Sequence, residues 1–482
     1  MPLQYKKAQF SEWFSEVIKE AELADLRYNV KGFLVHRPWA VMLMKRMYHL
    51  YEQELETQGH QPVWFPVVIP ESNFTKEKEH VEGFVPEVFW LTEGGGHKLE
   101  ERLALRPTSE TAMYPMYALW IQGLKDLPLM LYQSCAVYRH ETKATRPFIR
   151  GREFHWIETH CAFATRAQAE ERVAHDIKTT DKIMRQEFGI PFLCFKRPQW
   201  DKFAGALETY AADTLMADGR VIQQPSTHLL GQNFSKAFNI QYLNEKGARE
   251  FVWQTCYGPA IWRMVASVVS IHGDDKGLVL PFKLAPLQVV VVPIPAKGRE
   301  QEVLSRAQDL TRRLQDAGLR VKCDSRDQSP GSKYYYWELR GVPLRVEVGA
   351  RELDTRTYVV ARRDTGQKTQ VPEDQLPVQL QQAGAELTQN LISRAQGWFN
   401  SMISTADSLE QLTDLLKQKG GLVRVNFHSV GMDGQSCAQK LKQSLSADVR
   451  GTLVEAEEPF GSKVCMGCGA PAKHVVYLGK QY

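Results

Sequence analysis

Three short segments combine arginine with carboxylate or hydroxyl side chains, as nucleotide-phosphate sites do when they lack a glycine-rich loop. They are Arg106–Glu110, Tyr138–Arg150 with its Arg139-x-Glu141 pair, and Gly258–Arg263. An arginine fork contacts two phosphate oxygens at once, and a nearby carboxylate can accept from an adenine amino group. The chain has no G-x-x-x-x-G-K-[ST] motif and no G-x-G-x-x-G after a strand. Taken singly, each segment is also compatible with a surface ion pair.

Three cysteines near the C-terminus have the spacing of a metal site. Cys465 and Cys468 form a C-x-x-C pair, and Cys437 precedes them. Three thiolates at such spacings suit a structural zinc ion, which takes four ligands in a tetrahedron. The remaining ligand would be a carboxylate or an imidazole: Asp433, His428 or His474. The alternative is a set of reduced thiols without metal.

Size, composition and charge predict an intracellular protein with several domains. The chain has 482 residues, of which 43% are hydrophobic and 24% charged, and this excludes wholesale disorder and fibrous classes. No apolar run approaches the roughly 18–20 residues of a membrane span, and the N-terminus lacks the apolar core of a secretion signal. The net charge of +4 is too small to identify a nucleic-acid binder, although residues 299–368 carry a basic excess that can attract phosphates.

The first 285 residues mix helical and strand signals. Val41–Glu56 and Gln168–Glu187 have helical spacing, whereas Met130–Tyr138 and Phe154–Phe163 are rich in strand-forming residues. Pro62–Ile69 has strand composition but is interrupted by a proline, which favours an edge or an interface position. Strands paired in hairpins with helices between them predict an α+β domain.

A second pattern begins near residue 286. Leu287–Ile294 is a continuous apolar strand, and Arg299–Ala317 has the spacing of an amphipathic helix. Further strands and a short helix follow at Leu319–Cys323, Tyr334–Arg340, Leu344–Val348 and Thr357–Ala361. This alternation predicts an α/β domain with a buried, largely parallel sheet. A third pattern starts near residue 408, so we expect domains at residues 1–285, 286–398 and 399–482, the last a small α/β zinc-type domain.

Taken together and in this order, the segments resemble class II aminoacyl-tRNA synthetases, specifically the prolyl-tRNA synthetases of archaeal/eukaryotic type. The resemblance extends over nearly the whole chain. Its other matching segments are Phe10–Trp13, Ala21–Asp25, Gly59–Pro66, Glu79–Phe84, Arg146–Arg150, Lys202–Ala206, His228–Phe234, His272–Asp275, Leu278–Pro281, Trp337–Pro343 and the final Tyr482.

This resemblance implies a reaction, partners and an architecture. L-Proline and ATP would form prolyl-adenylate, with Mg²⁺ because pyrophosphate leaves, and proline would then pass to the 3′ end of tRNA(Pro). The fold would be the antiparallel class II sheet with flanking helices, followed by an anticodon-binding domain. A cytoplasmic homodimer formed through the region of Pro66 is also implied.

The resemblance further implies roles for the arginines. Arg139 would contact the α-phosphate and the substrate carboxylate, and Arg263 the γ-phosphate, so both are the implied catalytic residues. The other implied ATP contacts are Glu141, Arg150, Gln223 and Ser226. In the anticodon domain, Glu338 and Arg340 would contact bases or phosphates, although a solvated helix face is an open alternative.

The proline pocket is implied by a second set of residues. Glu110 and Thr108 would accept the two N–H bonds of the secondary ammonium group, and Arg139 would hold the carboxylate. The other implied members are Trp156, Glu158, His160, Phe203 and His228. Trp156 and Phe203 would form apolar walls, unless they are ordinary core residues.

The sequence also departs from the family pattern. Ile261 stands before the third arginine segment where a hydroxyl side chain is usual, and Pro225–His228 replaces Gly-Thr-Ser-His. Met432 stands where the family has its first zinc-binding cysteine, so the expected zinc ion would need a fourth ligand that is not a cysteine. Residues 139 and 263 are too close for an inserted editing domain. The rival hypotheses are a synthetase for threonine or glycine and a non-catalytic RNA-binding paralogue.

Overall fold

The computed structural model describes residues 3, 5, 6, 8–80 and 88–482. The resemblance noted at residues 79–84 therefore falls mainly outside the described residues. Within the described part of the chain, no helix is both long and apolar enough to cross a membrane.

An α+β region extends from residue 10 to residue 285. Its helices are α1 (Phe10–Glu20), α2 (Pro38–Thr57), α3 (Glu71–His80), α4 (Glu110–Trp120), α5 (Arg166–Thr180), which continues as a π-helix at Asp181–Glu187, α6 (Asn233–Ala237) and α7 (Ile261–His272), with a 3₁₀ turn at Leu124–Asp126. Its strands are β1 (Ala24–Asp25), β2 (Val35–His36), β3 (Gln61–Pro62), β4 (Val68–Pro70), β5 (Trp90–Gly94), β6 (His97–Leu105), β7 (Leu129–Tyr138), β8 (Glu153–Phe163), β9 (Leu193–Lys196), β10 (Glu208–Leu215), β11 (Val221–Gly231), β12 (Gln241–Leu243), β13 (Arg249–Phe251) and β14 (Trp253–Gly258).

The main sheet of this region runs in the order β9-β10-β11-β14-β8-β7-β3 and is antiparallel except for the parallel β3–β7 pair. The longest pairing joins β7 to β8, from Leu129 opposite Ala162 to Tyr138 opposite Glu153. Helix α7 packs against the sheet and is buried at most of its positions because it is apolar on nearly every side. The predicted antiparallel class II sheet is confirmed.

The middle region folds around a separate five-stranded sheet. Its elements are β15 (Val289–Pro293), α8 (Glu300–Asp316), β16 (Val321–Cys323), α9 (Pro330–Leu339), β17 (Leu344–Val348), α10 (Ala350–Thr355), β18 (Thr357–Arg362), β19 (Lys368–Pro372) and α11 (Leu376–Ser401). The order is β16-β15-β17-β18-β19, and only the first three strands are parallel. The sheet is thus less parallel than predicted, because the connections from β17 to β18 and from β18 to β19 are both shorter than the dozen or more residues of a parallel crossover. Helix α11 runs through the predicted boundary at residue 398.

The C-terminal region contributes β20 (Ile403–Thr405), α12 (Leu409–Gln418), β21 (Leu422–Phe427), α13 (Gln435–Leu445), β22 (Asp448–Leu453) and β23 (His474–Gly479). These strands follow the order β20-β21-β23-β22, and β22 pairs with β9 through Thr452 opposite Lys196 and Leu453 opposite Phe195. The predicted small C-terminal domain is therefore continuous with the main sheet, which has eleven strands in all.

Candidate active site

A cavity of about 300 Å³ opens on the face of the main sheet. Strands β8, β10, β11 and β14 and the start of α7 supply most of its walls, and Arg139 follows directly after β7. The structure brings together in this cavity every residue that the sequence implied for ATP or proline: Thr108, Glu110, Arg139, Glu141, Arg150, Trp156, Glu158, His160, Phe203, Gln223, Ser226, His228 and Arg263. The side chains divide into an acidic half around Glu110 and a basic half around Arg263.

Two buried carboxylates mark the acidic half. Glu110 begins helix α4 and accepts a hydrogen bond from the Thr108 hydroxyl. Glu158 accepts from Ser109 N–H at 3.1 Å and from the Gln133 amide at 2.8 Å, and it pairs with His160 at 3.1 Å. Burial opposes the charged form of Glu158, but these donors hold its pKa below the ordinary value. The charged Glu158 is therefore fixed within its own network, whereas Glu110 faces the cavity.

The two histidines of this half have opposite electrostatic environments. Burial works against protonation of His160, but the hydrogen bond to Glu158 and the charge of Glu110 raise its pKa above the ordinary value. Burial, Arg197 and His160 lower the pKa of His228 to about 3. The His228 ring lies 2.9 Å from the Thr209 hydroxyl and 4.8 Å, centre to centre, from the Phe203 ring. His228 is thus neutral at physiological pH and forms a wall with Phe203.

Arg139 lies between the two halves. Its Nε donates to the carbonyl of Pro107 at 3.0 Å, and its guanidinium lies over the rings of Phe154 and Trp156, 5.2 and 5.6 Å from their centres. Burial lowers the pKa of Arg139, and the acidic side chains Glu110, Glu158 and Glu141 oppose that shift. The contacts fix the arginine while its remaining N–H groups stay available to a ligand.

The basic half is built from arginines with few compensating acids. Arg263 donates to the Gln223 carbonyl at 3.1 Å, and burial together with Arg139 and Arg150 lowers its pKa to about 10. Arg150 pairs with Glu141 at 3.1 Å. Clustered buried cations repel one another, so a polyanion that enters between them relieves this repulsion. This half has the charge expected of a polyphosphate site.

Several cavity residues were missed by sequence reasoning. Arg197, directly after strand β9, donates to the Gln223 side chain at 3.3 Å, and its place at a strand end was the only available signal. The Trp262 indole donates to His36 at 2.6 Å. At the edge, Arg150 donates to the C-terminal main-chain oxygen of Tyr482 at 2.7 Å. Among the described residues, three cavity-lining polar atoms are buried without a hydrogen-bond partner: Trp156 Nε1, Thr159 Oγ1 and Gln224 Oε1.

The sequence departures do not interrupt the cavity. Ile261 is fully buried at the start of α7 and does not line the cavity, whereas Ala260 and Trp262 beside it do. Ser226 remains in the lining, and its hydroxyl lies 3.0 Å from His228 Nε2. Both departures therefore leave the charged groups of the basic half in the cavity lining.

The two residues expected to contact RNA lie at the junction between the middle and N-terminal regions. The Arg340 side chain is only 6% exposed, pairs with Glu22 and lies over Tyr336, 3.6 Å from the ring centre. The prediction of an RNA contact for Arg340 is not supported, because its guanidinium is buried against the N-terminal region. Glu338 is more exposed and accepts from Arg345 at 3.2 Å.

The three cysteines of the C-terminal region meet at one point. The Sγ atoms of Cys437, Cys465 and Cys468 and the Nδ1 atom of His428 all lie within 4.8 Å of one another. His428 Nδ1 is 3.2 Å from Cys465 Sγ and 3.8 Å from Cys468 Sγ, close to the roughly 3.5–3.8 Å edges of a tetrahedral zinc site. A Cβ on Gly467 would come within 2.6 Å of Cys437 Cβ, so the turn depends on this glycine. The donors fit zinc.

The structure favours His428 over the other ligand candidates. Asp433, one of the three candidates from the sequence, is not in the cluster, because its carboxylate instead accepts from the Ser429 hydroxyl at 2.6 Å. His474 begins strand β23 and is also outside the group of four. A separate group of possible metal ligands, Glu110, His160 and Cys256, lies inside the cavity.

Comparison with known proteins assigns the same regions. The tRNA synthetase class II core domain (G, H, P, S and T) matches residues 89–272, the anticodon binding domain residues 288–383, and the prolyl-tRNA synthetase C-terminal domain residues 409–482.

Similar proteins match over their full lengths. The proline–tRNA ligase of Thermofilum pendens is 51% identical and covers 99% of this chain and 98% of its own. That of Pyrococcus horikoshii is 44% identical, with 98% of each chain covered. The structure of Giardia lamblia prolyl-tRNA synthetase in complex with prolyl-adenylate superposes with a TM-score of 0.95 at 38% identity and covers 100% of both chains. The chain therefore belongs to the prolyl-tRNA synthetases of class II.

Proposed function

We propose that the cavity joins L-proline to ATP as prolyl-adenylate and then transfers proline to the 3′ end of tRNA(Pro). The observation that supports this most is the division of one cavity into an acidic half and an arginine-lined half with Arg139 between them. A substrate with a cationic end and a carboxylate, next to a polyphosphate, matches this distribution of charge. The related Giardia enzyme was solved with prolyl-adenylate, which has both parts.

In the acidic half, Glu110 and Thr108 accept the two N–H bonds of the proline ammonium group. The Glu158–His160 pair keeps the surroundings of Glu110 in one arrangement. Trp156, Phe203 and neutral His228 enclose the ring. Hydrophobic walls discriminate one methylene by only about 1–3 kcal/mol, so the charged contact to the ring nitrogen supplies the orientation.

In the basic half, ATP is bound through its phosphates. Arg139 contacts the α-phosphate and the proline carboxylate, and Arg263 contacts the γ-phosphate. The remaining nucleotide contacts are Glu141, Arg150, Gln223 and Ser226. Mg²⁺ would be held mainly by phosphate oxygens, with Glu141 as a carboxylate of the cavity lining, and would supply positive charge to the leaving pyrophosphate.

The chemistry is one in-line displacement followed by an acyl transfer. A carboxylate oxygen of proline attacks the α-phosphorus, and the bond to the bridging oxygen breaks with its electron pair leaving on pyrophosphate. Arg139 and Arg263 stabilise the charge that develops on the phosphate oxygens. No residue has to remove a proton in this step, because the attacking carboxylate is already ionised. The 3′-terminal hydroxyl of tRNA then attacks the acyl carbon, and AMP leaves.

The middle region is the proposed anticodon-binding domain. Glu338 contacts Arg345, Arg345 contacts Glu347, and exposed Lys368 pairs with Glu347 at 2.9 Å. This polar face and the basic excess of residues 299–368 support binding of RNA. Binding of tRNA should weaken as salt rises, because counterions are released from the phosphates; an affinity independent of salt would remove this assignment.

Two further proposals concern assembly and location. The exposed surface near Pro66 carries Trp64, which is 90% exposed, and Leu119, which is 67% exposed, and such apolar groups support a homodimer interface. Sedimentation should give a dimer that Trp64→Glu dissociates, and a monomeric unmodified chain would contradict this.

We also propose a cytoplasmic location, supported by eight cysteines that form no disulfide; fractionation with a secreted marker would contradict it.

The direct test of the activity is ATP–pyrophosphate exchange with each of the twenty amino acids. Exchange should depend on proline above all others. Exchange that depends instead on threonine or glycine would identify a different synthetase. Absence of exchange with every amino acid, in a folded protein that still binds tRNA, would favour the non-catalytic RNA-binding alternative.

A further inference from the structure

A buried ionic cluster joins the C-terminal region to the cavity. Arg450, on strand β22, is 3% exposed at its side chain and donates through Nε and Nη2 to both oxygens of Asp213, at 2.7 and 3.1 Å. Asp213 lies on β10 of the main sheet and is fully buried. An arginine of the C-terminal region is thus inserted into the interior of the N-terminal region.

A second arginine shares the same carboxylate. Arg197 donates to both oxygens of Asp213, at 2.9 and 2.7 Å, and to the main-chain carbonyl of Arg450 at 2.7 Å. Its Nη2 also lies 3.3 Å from the Gln223 side-chain oxygen, and both Arg197 and Gln223 line the cavity. One chain of hydrogen-bonded groups therefore runs from Arg450 to the nucleotide half of the cavity.

The same arginine is also anchored at the chain terminus. Arg450 Nη1 donates to the Gln481 side chain at 2.7 Å. The next residue, Tyr482, accepts from Arg150 at 2.7 Å. The pairing of β22 with β9 holds Arg450 near Arg197, because β9 ends at Lys196. Two routes from the C-terminal region thus reach two different residues of the nucleotide half.

We propose that Arg450 is a positioning residue for ATP, which acts by holding Arg197 and, through it, Gln223. The argument is one of geometry and charge. Two guanidiniums repel each other, and only their shared, doubly hydrogen-bonded carboxylate keeps them side by side. Without the Arg450 guanidinium, the main-chain carbonyl of residue 450 remains, but Asp213 loses two of its donors and can draw Arg197 away from Gln223.

The inference rests on the proposed function, since it assumes that Gln223 contacts the nucleotide. It predicts a selective effect. Loss of Arg450 should weaken ATP binding and leave the ammonium-binding groups of the proline pocket unchanged, because among the described residues the hydrogen bonds of Glu110, Thr108 and Glu158 do not involve Arg450, Asp213 or Arg197. A merely structural role for Arg450 would instead lower the fraction of folded protein and leave both KM values as they were.

The experiment compares full-length variants in proline-dependent ATP–pyrophosphate exchange. Arg450→Gln should raise the KM for ATP about tenfold, the typical effect of one lost hydrogen bond to a charged group. The KM for proline should stay within twofold. Arg450→Lys should recover part of the loss, because a lysine keeps the charge but not the fork. Arg424→Gln is the matched control, since Arg424 lies in the same region and pairs with Glu457 away from the cavity.

The inference would be overturned if the KM for ATP of Arg450→Gln stayed within twofold of the value for the unmodified chain. Equal rises in the KM for ATP and the KM for proline would also overturn it. If that variant does not fold, Gln481→Ala provides the second test, with an expected rise in the KM for ATP of about threefold; an unchanged value would overturn the inference. Absence of proline-dependent exchange in the unmodified chain would remove the proposed function and this inference together. Normal exchange with an insensitive Arg450→Gln would remove this inference alone.

Discussion

The two carboxylates of the acidic half, Glu110 and Glu158, are held by groups of the N-terminal region, whereas the basic half is also held by the C-terminal region. Glu158 receives its hydrogen bonds from Ser109, Gln133 and His160. By contrast, Arg150 contacts the C-terminal Tyr482, and Arg197 contacts Arg450. The difference indicates that the positions of the two carboxylates are set within the N-terminal region, while the geometry of the basic half also depends on a distant part of the chain.

The arginines provide the strongest test of this comparison. Arg139→Ala and Arg263→Ala should each lower proline-dependent exchange by at least about 100-fold, because charge stabilisation in the transition state is lost. Arg166→Ala, at an exposed ion pair on helix α5, is the control. Circular dichroism should show that all three variants keep their fold. Exchange near the unmodified rate in either cavity variant would remove the role assigned to that arginine.

Glu110 tests the acidic half separately. Glu110→Gln should raise the KM for proline by about 10- to 100-fold, because a charged hydrogen bond to the ammonium group is replaced by a neutral one. The KM for ATP should change less than twofold. Glu171→Gln, on the exposed side of helix α5, is the matched control. An equal change in the two KM values would show that the halves are not separable.

The neutral His228 gives the comparison a pH dependence. Its pKa of about 3 in the folded state lies below the ordinary value near 6.5, so the unfolded chain takes up a proton first as the pH falls. The contribution of neutral His228 to the free energy of unfolding is therefore complete above about pH 6.5. It decreases below that pH and is about 2 kcal/mol smaller at pH 5. Between pH 8 and pH 5, the free energy of urea unfolding should fall by about 2 kcal/mol less in His228→Asn than in the unmodified chain. His175→Asn, exposed on helix α5, is the control, and identical pH profiles for the unmodified chain and His228→Asn would contradict the assignment.

The zinc site gives the smallest expected effect on catalysis. The purified chain should contain close to one zinc, and His428→Ala should lose it to a chelator at lower concentration, since three thiolates remain. Asp433→Ala should keep its zinc. Removal of the metal should raise the KM for ATP by about threefold at most and leave that for proline unchanged, because the C-terminal region is loosened. Less than about 0.1 zinc per chain without chelators would remove the site.

Deletion of the middle and C-terminal regions would also disturb the N-terminal region, which the sequence did not indicate. Removal of everything after residue 285 would appear from sequence to separate tRNA binding from adenylate formation. It would also remove β22, which covers the edge of β9, and Arg450, which neutralises part of the charge at Asp213. We therefore expect this deletion to impair both steps. Separation of the two steps requires changes within the middle region alone.

Much of the site could be predicted from sequence because its chemistry lies in short local patterns. Arg139 and Glu141 are two residues apart on one segment, and Thr108 and Glu110 lie together at the start of a helix. The apolar runs likewise predicted β7, β8, β15 and α8 to within a few residues. These patterns depend on side-chain type and on the period of strands and helices, which the sequence contains directly.

Other features depended on which segments meet in the folded chain. Arg340 is a residue type that often contacts RNA, but contacts with Glu22 and Trp39 bury it between the middle and N-terminal regions. Asp433 is only four residues from Cys437, a spacing at which a zinc ligand can lie. The turn nevertheless places His428 beside the thiols, and Asp433 contacts Ser429 instead. The spacing of residues along the chain does not predict on which side of a turn each side chain lies.

The sequence by itself determined the family, several of the elements and most of the charged groups of the cavity, because periodicity and residue type are local properties. The tertiary structure alone decided that the C-terminal strands extend the main sheet and that Arg197, Asp213 and Arg450 share one buried cluster. These residues are up to 253 positions apart in the chain, and no local pattern links them. Their contact follows from the pairing of β22 with β9, whose hydrogen bonds join two segments that are far apart in the chain.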